Sequence, residues 1–133
     1  MRYLHTMVRI SDVDASLHFY CDLLGLELVK TIESEKGRFT NYFLSTQCDK
    51  ERYEATRSPA LELTYNYGSE ADDTKYHAGN QEKDGFGHIA FNCNDVYEAC
   101  AKLEEQGVTF KKKPDEGRMK GLAFAYDPDG YWV

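Results

Sequence analysis

At 133 residues the chain is long enough for about one domain with a closed hydrophobic core. Its 16 lysines and arginines stand against 23 aspartates and glutamates, a net charge of -7 that gains nothing from phosphate backbones or anionic lipid, so neither nucleic acid nor a membrane surface is expected as a partner. With 10 Tyr, 7 Phe and one Trp, much of the apolar burial is expected from aromatic rings.

Arg2, His5, Arg9, Asp12, Asp14 and His18 interrupt the N-terminal stretch, which therefore reads as neither an export signal nor a membrane span. A cytoplasmic location is the expectation. Cys21, Cys48, Cys93 and Cys100 show no CxxC spacing and are read as reduced thiols.

His5 opens a short alternating strand. Ser11 or Asp12 is the expected N-cap of the amphipathic helix that follows, and Gly25 ends it where a left-handed residue is favoured. Residues 26–34 (LELVKTIES), 39–45 and 60–67 read as strands, with Gly37 and the polar stretch 46–59 as connections. Residues 69–85 are polar, hold Gly79 and Gly85, lack a sustained period and read as a linker.

The order then begins again. HIAFNCNDVYEACAKLEEQG, from His88 to Gly107, repeats the pattern of HTMVRISDVDASLHFYCDLLG: a His, a short alternating strand, an Asp-Val pair, an amphipathic helix and a closing Gly. Asn94 or Asp95 is the matching N-cap. Strands are expected at 108–112 and 121–126, with another beginning at Tyr131. The organisation is βαβββ twice: a first module at 1–68, a linker at 69–85 and a second module at 86–133, cut short in its last strand.

His5 and His88 hold equivalent places in the two modules, so a pseudo-twofold relation makes a shared site plausible. In PALELTYNYG the leucines alternate with Glu62, Thr64 and Asn66. That polar face is either solvated or lines a cavity. In the second case Glu62 and Asn66 share it with the two imidazoles, and a nitrogen and oxygen site for zinc, nickel or cobalt results.

HTMVRISDVDASLHFYCDLLGLELVKT, ALELTYNYG, GFGHIAFNCNDVYEACAKLEEQGV, KKPDEGRMKGLAF and DPDGYWV, in this order and across nearly the whole chain, resemble the glyoxalase I family of the vicinal oxygen chelate superfamily. The resemblance implies an α+β fold in which paired βαβββ modules form a curved mixed sheet. It also implies a homodimer with its active sites at the subunit interface and four ligands to one divalent metal per site. His5, Glu62 and His88 match the first three ligands. The fourth is a Glu that directly follows the DPDGYWV motif, the position after Val133.

The implied activity is that of a lactoylglutathione lyase. Metal-assisted proton transfer turns the hemithioacetal of methylglyoxal and glutathione into S-lactoylglutathione, with Glu62 as the catalytic carboxylate of this chain. Arg9 and Asn66 match the residues that bind the γ-glutamyl end, and Lys120 the one that binds the glycyl carboxylate. An Arg that eukaryotic members carry before GFGH is Asp84 here, beside Lys83, a departure at one glutathione contact. The spacer from Glu62 to His88 and the KKPDEGRMKG loop resemble zinc-dependent members, with nickel or cobalt as the other metals. Phe43, Cys48, Met119 and Leu122 are candidates for the aldehyde pocket. Two alternatives remain: an extradiol dioxygenase, which needs His5, His88 and a Glu after Val133 but not Glu62, and a non-catalytic binding module of the same fold.

Overall fold

Val8 and Ile10 are buried while His5, Met7 and Arg9 are exposed along β1 (His5–Ile10), so the alternation of the first strand carries into the computed structural model. Residues 2–46, 50–71, 76–80 and 85–133 are described. The chain divides into two units, Met1–Tyr76 and His77–Val133.

In the first unit Asp12 is the N-cap, its carboxylate accepting from the Ala15 amide at 2.9 Å. Helix α1 (Val13–Leu17) starts there, then continues as a π-helical turn, His18–Leu23. Thirteen residues separate Asp12 from Gly25 but twelve separate Asp95 from Gly107. A π turn holds more residues than an α turn and so accommodates the additional one. The helix contributes Ser16, Phe19 and Tyr20 to the core, and Gly25, at φ 78, reverses the chain.

Strands β2 (Glu27–Ser34), β3 (Phe39–Ser45) and β4 (Ala60–Asn66) join β1 in a mixed sheet of order β1-β4-β3-β2. β1 runs parallel to β4, and the other pairs are antiparallel. Central β4 is buried from Ala60 to Thr64, on both faces. Leu63, Leu44, Ile10 and Val29 reach 0% exposure, and each such side chain contributes roughly 1.5–3 kcal/mol of burial.

The stretch 46–59 is not purely a connection. It contains a second helix, α2 (Lys50–Thr56), built from good helix formers and fastened by one ring, Tyr53, which is buried with Val29, Phe43 and Ala60. One apolar anchor in KERYEAT leaves no helical period to read.

The second unit repeats this connectivity with fewer rungs. Asp95 caps α3 (Val96–Glu105) by accepting from the amides of Tyr97 and Glu98 at 2.8 and 3.0 Å, and Gly107 ends it at φ 81. β5 (Phe110–Lys112) pairs antiparallel with β6 (Phe124–Ala125). Tyr126 bridges antiparallel to Trp132, and Trp132 bridges parallel to His88. The order is again first, fourth, third, second. The strand expected at His88 is reduced to that one bridge, and 121–126 keeps only its end as strand. The DPDG turn closes the last hairpin because Asp127 accepts from the amides of Asp129 and Tyr131 at 3.0 and 2.8 Å, with Gly130 at φ 87.

Among the described residues no helix is long and apolar enough to cross a membrane.

Candidate active site

β1, β4 and β3 bring their chemistry to one face of the first sheet. The register sets Met7 and Phe43 on either side of Glu62, and Arg9 and Asn41 on either side of Thr64. Residues opposite one another point the same way. His5, Met7, Arg9, Glu62, Thr64, Asn66, Asn41 and Phe43 therefore share that face, and Leu61 and Leu63 share the other.

Glu62 is 7% exposed. A carboxylate so buried needs partners for both oxygens. His5 Nε2 lies 3.0 Å from Oε2, and Asn41 Nδ2 donates to Oε1 at 2.6 Å. Thr64 Oγ1 in turn donates to Asn41 Oδ1 at 3.1 Å. The imidazole of His5 also makes an edge-type contact with the ring of Phe43, centroids 5.9 Å apart, and Phe43 leans on Tyr53 of α2. The unforeseen helix thus supports the ring against which His5 rests.

An imidazole nitrogen and a carboxylate oxygen 3.0 Å apart fit one divalent metal. Metal bonds to these donors of about 2.0–2.2 Å put two donors at right angles about 3 Å apart. Among the described residues within either unit, no group of three or more His, Cys, Asp or Glu side chains is close enough to hold an ion.

His88 belongs to the second unit. Its ring makes an edge-type contact with Phe124, centroids 5.3 Å apart, and Phe124 packs on Trp132. The arrangement matches the first unit, where the ring against His5 also comes from the third strand. Asn66 Nδ2 donates to the Tyr76 hydroxyl at 3.4 Å, and Arg9 is exposed on β1. Lys120 is exposed in the second unit, its ammonium donating to the Asp115 carbonyl. Of the expected site residues, His5 and Glu62 are in direct contact, with Arg9 and Asn66 on the same face.

Phe43 is buried, Leu122 half-buried and Met119 58% exposed, while Cys48, Lys83 and Asp84 lie outside the described residues. Cys21, Cys93 and Cys100 are free thiols, and burial pushes those of Cys21 and Cys100 up. Asn41 was not foreseen. FTNYFL puts it on the face of Phe43, but only the pairing of β3 with β4 reveals that this is also the face of Glu62.

Residues 2–133 match the Glyoxalase/Bleomycin resistance protein/Dioxygenase superfamily. The chain is 46% identical to a lactoylglutathione lyase of Pseudomonas aeruginosa over 97% of its own length and 78% of the relative's. It is 42% identical to a lactoylglutathione lyase of Schizosaccharomyces pombe, spanning 99% of itself but only 43% of that longer protein. Its fold is similar to that of the trypanothione-dependent glyoxalase I of Leishmania major, with a TM-score of 0.77 at 34% identity, covering 100% of this chain and 84% of the other. By sequence and by fold, the chain belongs to the glyoxalase I, or lactoylglutathione lyase, family of that superfamily.

Proposed function

We propose that the chain is a lactoylglutathione lyase acting in methylglyoxal detoxification, converting the hemithioacetal of methylglyoxal and glutathione to S-lactoylglutathione. The observation that carries this is the buried Glu62 beside His5, 3.0 Å between Oε2 and Nε2, on a chain 46% identical to a lyase of that name.

His5, Glu62 and His88 are the residues that hold one divalent metal, zinc first, with nickel or cobalt as the alternatives. The metal, when bound, supplies a Lewis acid for the negative charge that develops on the substrate oxygens. Glu62 shares with the glutamate expected after Val133 the work of carrying the C1 proton to C2, as general base and general acid. Arg9 and Asn66 bind the γ-glutamyl end and Lys120 the glycyl carboxylate. Arg9 and Asn66 lie on the sheet face of Glu62, which supports that assignment.

A cytoplasmic homodimer with its sites at the subunit interface accommodates a donor set divided between the two units. The strand registers support the fourth ligand. His5 stands beside Ala60, two residues before Glu62, and His88 stands beside Trp132. The counterpart of Glu62 is then the residue after Val133, where the family has its glutamate. An extradiol dioxygenase has no use for a carboxylate at position 62, whereas here it is buried and engaged at both oxygens.

The test is an assay of zinc-loaded protein with methylglyoxal and glutathione, on the 133-residue chain and on a version carrying Glu after Val133. S-lactoylglutathione from either is the expected result. Zinc bound with no product from either version, or product only with trypanothione in place of glutathione, defeats the proposal.

A further inference from the structure

Glu62 is held by a side chain from another strand, and the held geometry has a direction. We infer that Asn41 is a positioning residue for Glu62: its amide occupies Oε1 and leaves Oε2, the oxygen beside His5, as the one presented for coordination and proton transfer. The inference rests on the reading of Glu62 as ligand and catalytic carboxylate given above.

Three contacts establish the arrangement. Asn41 Nδ2 donates to Glu62 Oε1 at 2.6 Å, Thr64 Oγ1 donates to Asn41 Oδ1 at 3.1 Å, and His5 Nε2 lies 3.0 Å from Oε2. The orientation of the amide follows from its neighbours. Turned over, Asn41 would set its carbonyl oxygen against a carboxylate oxygen, two acceptors with no proton between them. Thr64, directly opposite Asn41 in the β3 to β4 register, donates to the carbonyl end of the amide that the carboxylate has oriented. Glu62 lies one diagonal step from Asn41, within the reach of cross-strand side chains.

The second unit shows that the fold does not require an amide here. Leu44 stands opposite Leu61, so the register continues to Ser45 beside Ala60, as Tyr126 stands beside Trp132. Counting back two residues matches Phe43 with Phe124, the rings against His5 and His88. Counting back four matches Asn41 with Leu122. One half fills the position with a leucine and the other with an amide that donates to Glu62 Oε1, so the amide answers to the side chains around it and not to the backbone fold. Groups that hydrogen-bond a ligating carboxylate keep it in one rotamer, and removing them lowers metal affinity or activity by about 10- to 100-fold.

The experiment compares the wild-type chain with Asn41→Leu and Thr64→Val. Zinc affinity is read by competition with a chromophoric chelator, folding by thermal melting of metal-free protein, and catalysis by kcat and KM for the hemithioacetal. For Asn41→Leu we expect zinc affinity lower by about 10- to 100-fold, kcat lower, KM within about twofold since uniform binding is untouched, and melting close to wild type. Thr64→Val, which frees the amide without removing it, should lose affinity in the same direction by less. It also carries the test where Asn41→Leu fails to fold. Zinc affinity equal to wild type in both variants overturns the inference, and so does a loss that only accompanies collapse of the melting transition. A wild-type chain that binds zinc but leaves the hemithioacetal unchanged defeats the proposed function, and the affinity comparison still decides the role of Asn41.

Discussion

The two units share a strand order, an aspartate cap and a glycine stop, yet they bury very different amounts of themselves. In the first, β1 and β4 pair over six residues, and Ile10, Tyr20, Val29, Leu44 and Leu63 are fully shielded. In the second, His88 meets Trp132 at a single bridge and α3 has no buried residue, with Val96, Ala99, Cys100 and Leu103 half-buried and Tyr97 51% exposed. Helix signals are local and act alike in both halves, whereas burial depends on how much sheet stands behind the helix. A two-stranded ribbon offers little. The same contrast divides the chemistry, since the well-packed unit holds the carboxylate whose burial needs two partners.

The largest expected effect is on that carboxylate. Glu62→Gln should lower kcat for the hemithioacetal by about 10²- to 10⁴-fold, the range of a general acid and base. A variant within tenfold of wild type would mean that Glu62 is only structural. Next comes the core. Leu63→Ala in β4 should cost about 2–5 kcal/mol in urea denaturation, while Leu103→Ala in half-buried α3 should cost about 1 kcal/mol. Equal costs would break the contrast between the units. Hydrogen exchange sharpens it without mutation: the β4 amides should exchange far more slowly than those of Phe124 and Ala125. The caps should not follow the contrast, because Asp12→Ala and Asp95→Ala each remove local bonds worth about 1 kcal/mol of helix stability. At the small end, Lys102→Met removes an exposed pair with Glu98 at 2.6 Å and should leave the denaturation midpoint unchanged, as expected of a solvent-screened ion pair.

Much of the fold was legible because its signals lie within a few residues of each other. DVDASL and DVYEAC announce their caps, DPDGYW its turn, and the alternation in HTMVRI and ALELTYN its faces. α2 was not legible, because a helix held by Tyr53 alone carries no apolar stripe. The π turn was missed for a related reason: a thirteen-residue spacing reads as an ordinary helix until the stop at Gly25 is compared with that at Gly107. In the site, His5 and His88 stood out by type and by their place in the repeat, and Glu62 by the alternation in its strand and by the family resemblance. Asn41 and Thr64 did not, since an Asn in one strand acquires a role only when pairing brings it to another strand's carboxylate.

By itself the sequence determined the caps and glycine stops of α1 and α3, the alternating faces of β1 and β4 and the residue types suited to a metal. These follow from periods and caps within a short stretch of chain. The register between strands was decided only by the tertiary structure. A slip of one residue turns every side chain to the opposite face, and the register brings Glu62 within reach of both His5, 3.0 Å from Oε2, and Asn41, which donates to Oε1.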